Sequence, residues 1–200
     1  MYEKEILETY TRCNIKTFPL DCLAVIRGIG YTAKTYGDTV KSEEERKILM
    51  TGSSDALTYF EKRIIYYNER AHPRRIRFSL MHEVGHIVLD TDSEDAADAF
   101  AASILAPIPI ARRNIIVTAD YVCKTFDVSV AMANRVVMAC KGKMVYDRDQ
   151  KALIRYFDSF DEKEPKKREP IKCRTEHRDD FPDNWNDLML AKRDFDLYFY

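Results

Sequence analysis

Ser79–Asp90 reads SLMHEVGHIVLD, an apolar run broken by His82, Glu83 and His86. Imidazoles and carboxylates are seldom fully buried without partners, so two of the chain's four histidines inside such a run need a chemical reason. The run extends back to Pro73. Phe78, Met81, Val84 and Val88 recur at helical spacing with no breaker before Asp90, and Gly85 is the one weak helix former. On a helix His82 and His86 lie about one turn apart and project from one face, while Glu83 points to the side of that pair. This is the HExxH arrangement. Two neutral imidazoles suit a divalent zinc ion, Zn2+, and the carboxylate between them can take a proton from a metal-activated water without being a ligand.

Zinc needs a third protein ligand. Asp92 or Ser93 can cap a second helix, SEDAADAFAASILA, that ends before Pro107; its alanines suit close contact with another helix. Two helices therefore meet at Thr91–Ser93. Glu94, at the start of the second, is the expected third ligand, because it can turn back to the imidazoles. Asp98, one turn later, is expected to accept the other ring N–H of a ligand histidine and so fix its tautomer. Asp95 is the nearest rival to Glu94, but it lies on a different side from Asp98 and has a shorter reach.

Around this centre the chain alternates helical and extended signals. EKEILETYTRC and FPLDCLAVIRGIG read as short helices, the second starting near Pro19 and stopping at Gly28 and Gly30. YTAKTYG reads as a strand, SEEERKILM as a helix opened by Ser42, and ALTYF and RIIYYN as two strands around Glu61 and Lys62. ADYVCKTFDVSVAMANRVVMAC has the form helix, turn, helix, with Ser129 as cap and Gly142 as stop. Residues 158–180 mix both charges densely around Pro165 and Pro170, as a solvated linker does, and an aromatic stretch closes the chain. The organisation expected is one domain over 1–150, including the helix-turn-helix-like pair near 118–141, with a charged linker and C-terminal extension over 151–200.

Composition narrows the class. With 46% hydrophobic and 32% charged residues, 200 residues can bury a substantial core, and a net charge of −1 gives no general attraction to nucleic acid or anionic lipid. The start of the chain lacks the features of a secretory signal, and no apolar run is long enough to span a bilayer. Five cysteines without a CxxC pair signal neither a disulfide framework nor a thiolate zinc site. A cytoplasmic protein without a membrane partner is expected.

Together RIRFSLMHEVGHIVLD, EDAADAFAASILAP and FDVSVAMANRVV resemble the ImmA/IrrE family of zinc metallopeptidases, whose members show R-x-R-F-T-x-A-H-E-x-G-H followed by E-x-E-A-N/D-x-F-A-A-x-L-L-x-P. The resemblance runs over roughly Ile64–Met138. It departs at Ala96, where many members have Glu, and at Met81, where a small residue is usual; neither belongs to the expected metal shell. The resemblance implies an α+β fold, a mostly helical zincin-like metallopeptidase domain with a small β-sheet. It implies zinc on His82, His86 and Glu94, and Glu83 as the catalytic carboxylate. It further implies a protein substrate, a helix-turn-helix transcriptional repressor whose cleavage relieves silencing in a phage, mobile-element or stress-response locus.

Several readings stay open beside this one. The strand RIIYYN can be imagined to pair edge-on with an extended substrate. Tyr66, Tyr67 and His72 are candidates to assist an oxyanion, against plain packing or loop roles. The 118–141 pair can be read as DNA-binding, although its second helix offers only Asn134 and Arg135 as polar readers, so nucleic acid is not the expected partner. A non-catalytic zinc-containing regulator or antitoxin-like binding protein is a further alternative. The thiol of Cys173 in the extension can be imagined to gate an open zinc position, against an inert tail.

Overall fold

The computed structural model describes residues 2–40, 42–142 and 145–161. The charged linker beyond Asp161, the aromatic end and Cys173 lie outside them, and so does the gating idea.

The N-terminal part supports one side of the core. Helix α1 (Glu3–Arg12) buries Ile6 and Tyr10 one turn apart, with acids in its first turn and Arg12 in its last, as the helix dipole favours. Helix α2 (Cys22–Gly28) begins later than Pro19 suggested. Asp21 is its cap, accepting from Ala24 N at 2.9 Å, so Pro19 belongs to the approach and not to the first turn. Strand β1 (Thr32–Thr35) is shorter than YTAKTYG suggested. The Thr35 side chain turns the chain at once into α3 (Tyr36–Thr39) through a reciprocal capping box with Asp38. Ser42 caps α4 (Glu43–Gly52), whose first turn holds three glutamates.

Strands β2 (Ala56–Tyr59) and β3 (Ile64–Tyr67) complete a three-stranded sheet in the order β1-β3-β2. β3 pairs parallel with β1 and antiparallel with β2. It is therefore the central strand, with both edges taken, and the edge-pairing role imagined for RIIYYN is corrected: its backbone groups are spent on its neighbours. Among the described residues β2 is an edge of the sheet. In its register Thr58 faces Ile65 and Ala56 faces Tyr67; Ala56 and Ile65 are buried, so this is the face turned to the helices.

The centre is the pair α5 (Pro73–Leu89) and α6 (Glu94–Leu105). Asp90 ends α5 in the left-handed conformation, φ 49°, and Ser93, not Asp92, caps α6 by accepting from Ala96 N at 3.3 Å. A turn this short returns the chain antiparallel along α5. Gly85 is explained here: a Cβ at that position would sit 2.9 Å from Ala97 Cα and 3.0 Å from Ala97 O, so the two backbones touch. Met81, Val84, Phe100, Ala101 and Ile104 fill the core beside this contact. Met81 is fully buried and takes up core volume.

After α7 (Ile108–Ala111), the predicted pair appears as α8 (Ala119–Phe126) and α9 (Val130–Cys140), with Ser129 as cap. The pair buries Val122, Phe126, Ala133 and Val136. Arg74 and Arg77 of α5 fasten it to the body: Arg74 Nε donates to Asp127 Oδ1 at 3.1 Å and Arg77 Nε to Asp127 O at 3.2 Å. The last described helix, α10 (Arg148–Asp161), contains the boundary expected at 150. Its Leu153 and Phe157 belong to the core, and Tyr156 Oη donates to Ile15 O at 2.8 Å, so the compact body continues to Asp161. No described helix is long and apolar enough to cross a membrane.

Candidate metal centre

The helical spacing of His82 and His86 brings their rings to 4.7 Å between centroids, nearly perpendicular at 76°. The helix alone would leave both rings free to rotate. What aims them is a partner at each Nδ1. Asp98 Oδ1 lies 2.6 Å from His82 Nδ1, and the Thr91 carbonyl 2.7 Å from His86 Nδ1. Both partners are acceptors, so each Nδ1 carries the proton and each Nε2 presents a lone pair.

Those lone pairs converge, with the two Nε2 atoms 3.1 Å apart. Glu94 closes the group, Oε2 at 3.1 Å from His82 Nε2 and Oε1 at 3.6 Å from His86 Nε2. Three acceptors this close repel one another unless a cation or proton lies between them. Two nitrogens bound to one tetrahedral zinc stand about 3.3 Å apart, so the spacing and the donor types fit that ion. One ligand atom from each of His82, His86 and Glu94 lies within 4.8 Å of the others. Asp95 is exposed and is not part of this group.

The electrostatics follow from the same contacts. Burial pulls the His82 pKa down, but the hydrogen bond to Asp98 and the charges of Asp98, Glu83 and Glu94 outweigh it, and the net shift is upward. In the metal-free chain the carboxylates thus favour a proton where a cation would otherwise sit. Arg135 of α9 belongs to this neighbourhood: burial lowers its pKa and the charge of Asp98 opposes that. Arg135 is half-buried and Asn134 exposed.

Glu83 stands to the side of the histidine pair, half-buried, and accepts a hydrogen bond at Oε2 from Thr58 Oγ1 at 2.6 Å. Sequence reasoning missed Thr58. A threonine in a strand ordinarily reports only β propensity, and its inward register became visible only with the pairing. The Thr91 carbonyl was missed too, since a backbone acceptor carries no residue signature.

The candidates for oxyanion assistance are placed elsewhere. His72 caps α5, with Nδ1 accepting from Arg74 N at 3.2 Å. His82 is several turns further along, roughly 15 Å at 1.5 Å per residue. Tyr67 packs against the core and lines a cavity with Leu20, Ile76 and Leu80, near the start of α5. Tyr66 pairs with Leu57, on the face of the sheet opposite Thr58.

Residues 41–134 match the family model Peptidase_M78, described as the IrrE N-terminal-like domain. This stretch runs from the start of α4 into α9 and contains the whole histidine–carboxylate group. No curated protein matches the chain.

Proposed function

We propose, from the match of residues 41–134 to the IrrE N-terminal-like peptidase model, that this chain is a zinc-dependent endopeptidase of the ImmA/IrrE type in which His82, His86 and Glu94 hold the ion and Glu83 carries the proton. The observation that supports this most is the convergence of two imidazole Nε2 atoms and a carboxylate within 4.8 Å, each imidazole held by its own acceptor. The ion, when bound, supplies Lewis-acid polarisation of water and of the scissile carbonyl.

The chain's own residues do the rest. Asp98 and the Thr91 carbonyl keep both rings in the tautomer whose Nε2 is free to bind. Glu83 takes the proton of the attacking water and returns it to the departing amine, one carboxylate acting first as base and then as acid. β2, the edge strand whose Thr58 touches Glu83, is the strand on which an extended peptide would pair.

A peptidase of this type implies a protein substrate, and the one proposed is a helix-turn-helix transcriptional repressor in the cytoplasm. The α8–α9 pair, fastened to the body through Asp127, serves as part of the scaffold beside the site. The test is incubation of the zinc-loaded chain with candidate helix-turn-helix repressors, with and without chelator. Cleavage is expected to require zinc and to vanish in Glu83→Gln with zinc still bound. Full biological activity in Glu83→Gln would instead support the non-catalytic regulator.

A further inference from the structure

We propose that Thr58 is a positioning residue for Glu83, aiming the carboxylate from the edge strand on which substrate would pair. The inference rests on the reading of Glu83 as proton carrier given above. The contact is short, 2.6 Å from Thr58 Oγ1 to Glu83 Oε2, as expected for a hydroxyl donating to a charged acceptor. It joins two separate elements, β2 and the middle of α5.

A glutamate's terminal torsion is broad and nearly two-fold, so an unheld carboxylate samples many orientations. A donor on Oε2 removes that freedom and leaves Oε1 as the acceptor for a proton. Threonine suits the task because its branched Cβ restricts χ1, so the direction of the hydroxyl follows the backbone of β2. That backbone is itself fixed by pairing with β3, with Thr58 opposite the fully buried Ile65. The other edge of β2 is where an extended peptide would add. The strand that receives the substrate and the side chain that orients the carboxylate are thus one rigid piece, which matters because a misplacement of about 1 Å can cost on the order of 100-fold in rate.

The experiment uses the full chain loaded with zinc and acetohydroxamic acid as the probe. A hydroxamic acid chelates zinc through its two oxygens and gives its acidic proton to a neighbouring base, so its affinity reads the carboxylate without needing the natural substrate. Binding is measured by calorimetry, with zinc content and melting temperature, for Thr58→Val, Thr58→Ser and Glu83→Gln. Expected are a loss of at least about 100-fold in Glu83→Gln, about 10-fold in Thr58→Val, and recovery to within about 3-fold of wild type in Thr58→Ser, all at one zinc per chain. Thr58→Ala takes the place of the valine variant if that variant fails to fold. Wild-type affinity in Thr58→Val, with Glu83→Gln still impaired, overturns the role of Thr58 and leaves the proton carrier intact. Failure of Thr58→Ser to recover also overturns it, because the residue is then a packing element. Wild-type affinity in Glu83→Gln refutes the proton carrier and Thr58's role with it.

Discussion

The α5–α6 and α8–α9 pairs are punctuated alike and used differently. Each first helix ends on an aspartate in the left-handed conformation, Asp90 at φ 49° and Asp127 at φ 51°, and each second helix starts from a serine cap, Ser93 and Ser129. In α8–α9 the turn aspartate is the attachment point, gripped by Arg74 and Arg77, and the inward face is apolar. In α5–α6 the backbones touch at Gly85 and Ala97, and polar side chains face one another beside that contact, each with a partner. Turn chemistry makes a helical hairpin. A site additionally needs polar groups inside the hairpin whose second hydrogen-bonding positions are already satisfied, so that the first remain available.

The largest loss is expected at the proposed ligands. His86→Ala removes one of two converging nitrogens and is expected to lower zinc affinity by at least about 1000-fold, read by competition with a chromogenic chelator. Asp98→Asn is milder. The amide still reaches His82 but no longer supplies a charged acceptor, and zinc affinity is expected to fall by about 10- to 100-fold with the fold intact by circular dichroism. Asp127→Ala probes the other hairpin. Loss of the arginine contacts and of a residue tolerant of positive φ is expected to cost about 1–2 kcal/mol in urea unfolding, with zinc affinity unchanged.

The smallest effect is a pH dependence. His82 has a raised pKa in the folded metal-free chain. Its stabilising contribution is therefore fully present below the unfolded value, near 6.5, and is lost as pH rises through the folded value. Zinc needs the neutral ring, so its affinity is expected to rise over the window in which the metal-free chain loses this contribution. Parallel titrations of thermal stability without metal and of zinc affinity check the opposed slopes.

Much of this was legible because it is local. The α5 pattern, the caps Ser42, Ser93 and Ser129, and the i, i+4 offset of Glu94 and Asp98 are all consequences of helix geometry. Non-local pairing was hidden. Nothing in RIIYYN distinguishes a central strand from an edge, because partners come from Thr32–Thr35 and Ala56–Tyr59. α10 was obscured by its charges: Leu153 and Phe157 lie one helical turn apart, four residues in sequence, among acidic and basic neighbours, and only the surface they pack against marks them as core. Asp21 overruled Pro19 because a side-chain acceptor for a free helical N–H decides the start more strongly than a residue that merely tolerates the first turn.

The three proposed ligand side chains differ in exposure, with His82 at 17%, His86 at 12% and Glu94 at 71%. An ion held here would meet two imidazoles fixed by Asp98 and the Thr91 carbonyl on its buried side and the exposed Glu94 carboxylate on its solvent side. Were zinc held there as proposed, loading and release would run past Glu94, the ligand that faces solvent. Shortening it in Glu94→Asp should accordingly speed metal exchange more than it disturbs the stability of the fold.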